Sequence, residues 1–352
     1  MPQNPPAELT KLPPVLVPAG GFTRASVLVV GDLMLDRYIL GDVTRISPEA
    51  PVPVLAAKRR RSVPGGSANV ALNVLGLRAS VTVAGVVGDD EAGRELTAIL
   101  SETGIGTDSL LVQSGRPTTC KTRVVCGNHQ IVRFDDEVCD DLDPSASGRL
   151  LAQCKARLDE GIGVVILSDY AKGVLTVSLT ESLIAECSRR GIPVFVDPKR
   201  SSYLPYAGAT CITPNQREFR AASASMAIQG DDLLACGSLM RSLLSCESLL
   251  ITQGADGMTL IAPDRADHLP ALAEEVFDVS GAGDTVIATA AVAVAAGFDM
   301  LSAVRLANLA ASLVVRHAGT APVRWSELSS LLLSGHYGFS LGQECRGELV
   351  EA

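Results

Sequence analysis

Residues 278–284 carry the run DVSGAGD, in which a turn of small residues ends in an aspartate. An apolar stretch rich in good helix formers follows, from residue 285 to 296, so the turn is predicted to open directly into a helix. The first N–H groups of a helix have no intrahelical partner, and the helix dipole adds positive charge beside them. Such a turn can bind an anion, and Asp284 next to it could act as a base in phosphoryl transfer.

The same run also fits an ordinary capped helix start, because aspartate is common where helices begin. Taken alone, the four residues Gly-Ala-Gly-Asp favour this structural interpretation. Other parts of the chain are needed to decide between the two.

The composition predicts a globular protein with a sizeable core. The 352 residues suit one large domain or two, and they are 47% hydrophobic and 20% charged. The net charge is 30 − 39 = −9, which gives no support to a nucleic-acid-binding or membrane-surface role. The short basic run at 58–61 precedes glycines, so we interpret it as a solvated loop or strand end.

The cysteines and the N-terminus indicate a cytoplasmic protein. The nine cysteines form no Cys-x-x-Cys pair, and the four histidines show no metal-ligand spacing. The proline-rich start lacks the features of a signal peptide. The longest apolar run, 285–298, is shorter than the ~20 residues that a membrane span needs.

Short β-branched runs alternate with helix-length segments, which is typical of a doubly wound, mostly parallel α/β sheet. Several runs are apolar throughout, as expected for strands covered by helices on both faces. The predicted strands are 26–31, 80–87, 163–168, 193–197, 210–214, 248–252 and 258–262. The predicted helices are 67–78, 91–103, 145–160, 176–190, 215–222 and 229–245.

Two segments interrupt this alternation, at about 33–60 and 117–135, and we expect them to form a small β-strand lid. Because a bare two-stranded ribbon is marginal in water, the lid is predicted to pair with a second copy in a homodimer. The remaining limits are a flexible proline-rich tail at 1–24, a main domain at 25–330 and a C-terminal tail at 331–352.

Polar residues lie just past several predicted strands, where ligands bind in open α/β sheets. Asp32 and Asp36 follow the first strand, Asp169 and Lys172 follow another, and Lys199 follows a third. The carboxylates could hold sugar hydroxyls, and Lys172 could hold an anion. Surface turns and a helix N-cap explain the same pattern equally well.

Two further motifs each allow two interpretations. Gly65 and Gly66 permit close approach of a ligand, and Asn69 offers a donor and an acceptor, but a plain capped loop fits as well. Asn215 and Glu218 fit a capping box, or alternatively a phosphate-side pair in which Glu218 orders water around Mg²⁺.

The loop from Thr252 through Gly254 to Gly257 is either a glycine turn or part of a nucleotide site. Neither a Gly-x-Gly-x-x-Gly fingerprint at the early glycine segment nor a P-loop motif occurs, which argues against a dehydrogenase and a P-loop NTPase.

In this order, the motifs resemble the ribokinase (PfkB) family of ATP-dependent sugar kinases over about residues 25–320. The family pattern has an early Gly-Gly segment, an Asn-x-x-Glu, a Gly-x-x-Gly and a final Gly-Ala-Gly-Asp, and each element is weak by itself. They correspond to Gly65-Gly66 with Asn69, Asn215 with Glu218, Gly254 with Gly257, and Gly281 to Asp284. The resemblance implies a ribokinase-like fold and ATP with Mg²⁺ as the phosphoryl donor.

Within the family, GDLMLDRY at 31–38, RISPEAPVPV at 45–54 and RFD at 133–135 resemble the bacterial kinases of D-glycero-β-D-manno-heptose 7-phosphate. The resemblance implies phosphorylation of the anomeric O1, in heptose supply for lipopolysaccharide core. No His-x-Gly-His motif of the adenylyltransferase often fused to such kinases occurs, so the stand-alone form is expected.

The resemblance also implies a role for each candidate residue. Asp284 is the base, and the N–H groups of Gly281, Ala282 and Gly283 stabilise the phosphoryl charge. The substrate-binding candidates are Asp32, Gly65, Gly66, Asn69, Asp169 and Lys199, with Lys172 and Arg133 for the 7-phosphate. The ATP-binding candidates are Asn215, Glu218, Thr252, Gly254, Gly257 and Asn308, with Glu218 acting on Mg²⁺ through water and Asp278 near a K⁺ ion.

Two other functions stay open at this point. The same fold could phosphorylate another sugar, such as a hexose, a pentose or a nucleoside. Alternatively, the chain could be a non-catalytic regulator that binds a sugar or a nucleotide, although the presence of Asp284 and all three glycine elements disfavours this.

Overall fold

Strands and helices alternate along the main part of the chain, as predicted. The computed structural model describes residues 15–127, 129–273, 275–317, 319–334 and 338–342. The helices are α1 Ser67–Gly76, α2 Glu91–Thr103, α3 Pro144–Leu158, α4 Val177–Arg190, α5 Gln216–Ser225, α6 Leu233–Leu243, α7 Ala282–Ala295, α8 Met300–Val314 and α9 Trp325–Leu333.

The strands before the middle of the chain are β1 Val15–Val17, β2 Ser26–Gly31, β3 Leu33–Ile46, β4 Pro53–Gly66, β5 Ser80–Gly88, β6 Gly106–Gln113, β7 Thr119–Cys126 and β8 His129–Asp136. The later strands are β9 Val164–Ser168, β10 Val194–Asp197, β11 Cys211–Ile212, β12 Ser248–Thr252, β13 Met258–Ala262, β14 Arg265–Leu269 and β15 Phe339–Leu341. None of the helices given above combines the length and the apolar character that crossing a bilayer requires.

The main sheet has the strand order β14-β13-β12-β11-β10-β9-β2-β5-β6. Its pairings from β12 to β6 are parallel, whereas β13 and β14 are antiparallel. Alternate residues of β2 enter different cores: Val27 and Val29 join one cluster, and Leu28 and Val30 join the other. Helices therefore cover both faces, which confirms the predicted ribokinase-like fold class.

The strands that the sequence did not predict lie mostly at sheet edges. Residues 106–113 form β6 and residues 265–269 form β14, and much of each strand is exposed or half-buried. Such strands carry no continuous apolar run, so the pattern that identified the buried strands is missing from them.

The lid is a separate sheet of strand order β4-β3-β7-β8. It starts immediately after β2, and β4 continues to Gly66, where α1 begins. The lid segments are therefore 33–66 and 119–136, so the first is longer than predicted. The prolines of this segment suggested an irregular structure, but the long β3–β4 hairpin accommodates them in its turn and at Pro53, the first residue of β4.

The described parts of both predicted tails belong to the folded domain, which corrects the limits 1–24 and 331–352. β1 pairs in parallel with β15, and α9 extends to Leu333. Phe22 is 2% exposed and packs edge-on against Phe298 and Trp325. Apolar side chains thus hold these segments in place. The remaining tail residues, 1–14, 335–337 and 343–352, lie outside the described part.

We expect Phe22→Ala to lower the free energy of unfolding by ~3–5 kcal/mol, because it empties a buried aromatic site. Leu16→Ala, at a position 64% exposed, is the control and should change it by ~0.5 kcal/mol or less. Urea titration measures both. Equal effects of the two variants would mean that Phe22 is not part of the core.

Candidate active site

A cavity of about 630 Å³ lies where β10, β11 and β12 end. Its lining includes most of the residues predicted to bind nucleotide and phosphate. It also includes Tyr170, which follows β9, and Asp197, which ends β10. The lining includes Tyr170, Asp197, Lys199, Asn215, Glu218, Thr252, Gly254, Gly257, Gly281, Ala282, Gly283, Asp284 and Asn308. Segments far apart in the sequence therefore form one site.

The glycine turn leaves helix N–H groups open to this cavity. Gly281 precedes α7 with φ 80°, in the left-handed region, and no side chain caps the helix. A Cβ at Gly281 would lie 3.0 Å from Asn69 Nδ2, so a larger residue there would press on the site. The space around Gly283 is open. The turn therefore fits an anionic phosphoryl group.

Asp284 stands in the first turn of α7 and is 5% exposed. Asn69 Nδ2 donates to its Oδ2 at 2.6 Å, and the Tyr170 hydroxyl donates to its Oδ1 at 2.9 Å. Burial raises the pKa of Asp284, while these two hydrogen bonds and the charge of Lys199 lower it. The donors therefore help to keep a buried carboxylate ionised and oriented, as a general base requires.

Asn69 is oriented by a hydrogen-bond chain between α1 and α7. Asn73 Nδ2 donates to the Asn69 carbonyl at 2.9 Å, and Thr285 Oγ1 donates to Asn73 Oδ1 at 2.8 Å. The backbone N–H of Val323 donates to the same oxygen at 2.9 Å. This chain fixes Asn73 between the two helices and holds the α1 backbone at Asn69, whereas the buried Asn69 Oδ1 accepts no hydrogen bond among the described residues.

Asp32 organises the loop that carries Tyr170. Its carboxylate, 1% exposed, accepts backbone N–H groups of Tyr170 at 2.7 Å, Lys172 at 3.1 Å and Val174 at 3.2 Å. Burial raises the pKa of Asp32 to about 6. Because protein groups already engage both oxygens, the geometry does not support the predicted contact between Asp32 and sugar hydroxyls.

Asp169 is likewise engaged within the protein. It is fully buried and accepts the Tyr206 hydroxyl at 2.6 Å, Arg200 Nε at 2.8 Å and the backbone N–H of Ala171 at 2.7 Å. A sugar hydroxyl would have to displace one of these donors. The predicted substrate role of Asp169 is therefore not supported either, and its observed role is to anchor the strand end.

The basic side chains predicted to bind the sugar 7-phosphate lie in separate parts of the structure. Lys172 Nζ donates to Glu137 Oε1 at 2.6 Å. Arg133 lies on β8 and pairs with Asp135 at 3.0 Å. Neither lines the cavity described above. Lys199 does line it, pairs with Glu218 and has its ammonium 5.6 Å from the centre of the Tyr170 ring, so it is closer to the nucleotide side.

The roles implied by the family resemblance do not include Asp36, although the structure places this residue beside the early glycine segment. It lies on β3, is 7% exposed, and accepts a hydrogen bond from Arg123 at 2.5 Å. A Cβ at Gly65 would collide with its carboxylate, so Gly65 makes room for Asp36. Gly65 lies just before α1, whose Asn69 donates to Asp284, so Asp36 belongs to the side of the lid next to that carboxylate.

Tyr170 was not among the residues singled out from the sequence, although it adjoins Asp169, whereas Asp197 was noted there only as part of the Asp-Pro-Lys run before Lys199. Asp197 ends β10 and lines the cavity. Burial raises its pKa to about 8, and the charge of Lys199 opposes this rise.

On the nucleotide side, Asn215 and Glu218 form a reciprocal capping box with both hydrogen bonds at 2.9 Å. Both also line the cavity, so the structural and functional interpretations hold together. Among the described residues, no group of three or more metal-ligating side chains is present. The role of Glu218 toward Mg²⁺ stays a prediction.

Asn308 and Asp278 both connect segments around the cavity. Asn308 Nδ2 donates to the Pro270 carbonyl at 2.9 Å. Asp278 accepts the backbone N–H groups of Ser280 and Gly319, each at 2.9 Å, and so joins the glycine turn to the segment after α8. The K⁺ site near Asp278 stays a prediction.

Residues 24–326 match the sequence profile described as pfkB family carbohydrate kinase. The chain belongs to this family. A PfkB kinase is an ATP-dependent sugar kinase.

Two relatives of this PfkB kinase are both named Bifunctional protein HldE. The protein from Caulobacter sp. (strain K31) is 48% identical over 318 residues, which cover 90% of this chain and 64% of the relative. The protein from Methylobacillus flagellatus is 44% identical over 316 residues, which cover 89% of this chain and 64% of the relative. The chain thus spans slightly less than two thirds of the curated relatives it matches.

Solved structures confirm the fold. Ribokinase from Arabidopsis thaliana, complexed with ribose and ATP, matches with a TM-score of 0.65 and 19% identity, covering 90% of this chain and 99% of that one. Phosphofructokinase-2 from Escherichia coli, in complex with potassium, gives a TM-score of 0.70 and 18% identity, covering 87% and 97%.

We expect Tyr170→Phe to move the acid limb of the kcat profile to higher pH. The tyrosine hydroxyl stabilises the charged form of Asp284, so its removal raises the pKa of the base. A base with a higher pKa becomes protonated, and loses activity, at a higher pH. Lys199 and Asp36 also act on Asp284 and are unchanged in the variant.

Kinase assays across pH test this expectation. Tyr38→Phe is a control, because it removes a tyrosine hydroxyl from the lid strand β3 rather than from Asp284. An unshifted acid limb in Tyr170→Phe would show that the hydrogen bond does not tune the base.

Proposed function

We propose that this PfkB kinase transfers the γ-phosphoryl group of ATP to the anomeric O1 of D-glycero-β-D-manno-heptose 7-phosphate. The supporting observation is Asp284, held at both oxygens beside an open helix N-terminus, with Asp36 of the lid close by. The runs at 31–38 and 45–54 and the relatives named HldE favour the heptose phosphate over other sugars.

In this reaction Asp284 accepts the proton of O1 while O1 attacks the γ-phosphorus. The bond from that phosphorus to the β–γ bridging oxygen breaks, and ADP leaves. The open N–H groups at the start of α7 stabilise charge on the transferring oxygens, and Lys199 neutralises the phosphates. Magnesium bound to ATP would supply further charge neutralisation, and Glu218 is the residue that would order its water shell.

The sugar occupies the side of Asp284 that faces Asn69 and Asp36. Gly65 and Gly66 lie next to it, at the end of β4 and directly before α1. The lid lies over this position and keeps water from the phosphoryl group. The proposed product is the 1,7-bisphosphate, made in the cytoplasm for heptose supply to lipopolysaccharide core, and K⁺ near Asp278 is part of the proposal.

We expect Asp284→Asn to lower kcat by ~10²–10⁴-fold, because the amide cannot accept the proton. ATP affinity should stay near that of the wild type, since the N–H groups that bind phosphate are kept. Asp264→Asn, in the exposed turn between β13 and β14, is the control. Near-normal turnover of Asp284→Asn would contradict the assignment of the base.

Substrate identity is tested by ADP release with Mg-ATP on heptose 7-phosphate, fructose 6-phosphate, ribose and adenosine, each with and without K⁺. Release with the heptose phosphate alone would support the proposal. Release only with another sugar would keep Asp284 as the proposed base but contradict heptose 7-phosphate as the substrate. ATP binding without sugar-dependent ADP release would favour a regulatory protein.

We also propose a homodimer through the lid. Three apolar side chains of β8 are 42–50% exposed, namely Ile131, Val132 and Phe134. A second copy would cover them. Light scattering at micromolar concentration should give a dimer mass for the wild type and a smaller mass for Phe134→Glu. A monomeric wild type would contradict the proposal, and Val177→Glu, at an exposed position of α4, is the control.

A further inference from the structure

One row of side chains across the lid is rich in arginine. Tyr38 on β3 pairs with Arg61 on β4 and with Arg123 on β7, and Arg123 pairs with Arg133 on β8. Residues that pair across neighbouring strands point to the same face of a sheet. Arg61, Tyr38, Arg123 and Arg133 therefore form one row, which we call the lid row.

The lid row lies on the face that looks into the sugar site. Asp36 is two residues before Tyr38 on β3 and so shares its face. A Cβ at Gly65 would collide with the Asp36 carboxylate, and the chain continues directly into α1, whose Asn69 donates to Asp284. The face that carries Asp36 therefore turns toward Asp284, and the lid row lies about 7 Å beyond Asp36 on that face.

Arg123 is already held in position for a ligand. Its guanidinium donates to Asp36 at 2.5 Å and lies 5.3 Å from the centre of the Tyr38 ring. Its side chain is 21% exposed, so it is largely desolvated yet reachable. The Arg133 side chain is 48% exposed beside Asp135. Within the described part of the chain, Arg61 has no ion-pair partner, so it adds positive charge to the row.

We propose that the lid row binds the phosphate group that the sugar carries at the end far from the reacting hydroxyl. This rests on the proposed function, because it requires a phosphorylated sugar. Asp36 then binds hydroxyls between the base and the row. Guanidinium groups suit this task, since they bind phosphate oxygens through paired N–H donors. The lid row thereby makes the kinase selective for sugar phosphates.

In the proposed arrangement Lys172 supports the lid and does not bind the sugar phosphate. Its ammonium is 2.6 Å from Glu137, a carboxylate that Lys121 also approaches at 3.7 Å. Two lysines sharing one carboxylate form a structural contact at the base of the lid. Arg123 instead carries its positive charge directly beside Asp36, within the sugar site.

The opposite face of the lid provides a matched control. Arg60 pairs with Ile39, so it belongs to the face that does not look into the site. On that same face Arg37 pairs with Glu95 of α2 at 2.5 Å. Arg60 is exposed. Its replacement removes the same charge from the same sheet without touching the lid row.

The experiment compares kinetics on heptose 7-phosphate and on the same heptose without phosphate, for the wild type and for Arg123→Gln, Arg133→Gln and Arg60→Gln. In Arg123→Gln we expect KM for the phosphorylated sugar to rise about 10- to 100-fold more than KM for the free sugar, which is the size of a lost charged hydrogen bond. Any change of KM for the free sugar in this variant reports the lost contact to Asp36. Arg133→Gln, whose side chain pairs with Asp135 instead, should raise KM for the phosphorylated sugar alone and by a smaller factor, and Arg60→Gln should change neither KM.

Equal losses on both sugars, or no loss on either, would overturn the proposal. Arg133→Gln, at a half-exposed position, keeps the test decisive if Arg123→Gln folds poorly. If the wild type rejects the heptose phosphate but accepts fructose 6-phosphate, the proposed substrate fails, and the lid row is tested with fructose 6-phosphate and fructose. A wild type that prefers unphosphorylated sugars would overturn the lid-row proposal itself.

Discussion

The carboxylate of Asp284 joins three separate parts of the fold, and the candidate site depends on this junction. It sits on α7, receives one hydrogen bond from Asn69 of α1 and another from Tyr170 in the loop after β9. Burying a carboxylate is costly unless its charge is satisfied. The two donors meet that requirement and at the same time fix the direction of the lone pairs. The glycine turn, α1 and the loop must therefore keep their relative positions.

Other buried carboxylates serve this junction without contacting the cavity. Asp32 collects backbone N–H groups of the loop that presents Tyr170, and Asp169 receives donors from Tyr206 and Arg200. Their positions at strand ends look the same in sequence as those of ligand-binding residues. The difference is whether a carboxylate oxygen is open to the cavity, and here both are occupied by protein donors.

The lid combines two functions on its two faces. The face with Asp36 and Arg123 turns toward the sugar side, whereas Arg37 on the opposite face reaches Glu95 of α2. The period-two alternation of a strand allows this separation, since neighbouring residues point to opposite sides. Lid and main sheet are joined directly, because only Asp32 separates the end of β2 from the start of β3. The proposed substrate contacts and the observed packing against α2 are thereby set by the same strands.

Much of the fold could be predicted from local patterns. Buried strands such as 26–31 and 248–252 and the helix 91–103 have the predicted limits, because continuous apolar runs and capping residues act over short distances. The glycine turn and the capping box at Asn215 were identifiable for the same reason. The edge strand β6 and the two segments of the β1–β15 pair were missed, since their pairing depends on distant residues.

The site required more than sequence patterns. The glycines, Asp284 and the Asn215–Glu218 pair carry their pattern in adjacent residues, and so they could be proposed from the chain alone. The proposed choice of Asp36 over Asp32, and the contact of Tyr170 with Asp284 across more than a hundred residues, could not. Both depend on which buried donors satisfy each carboxylate, and that is decided only when the strands, the lid and α7 come together.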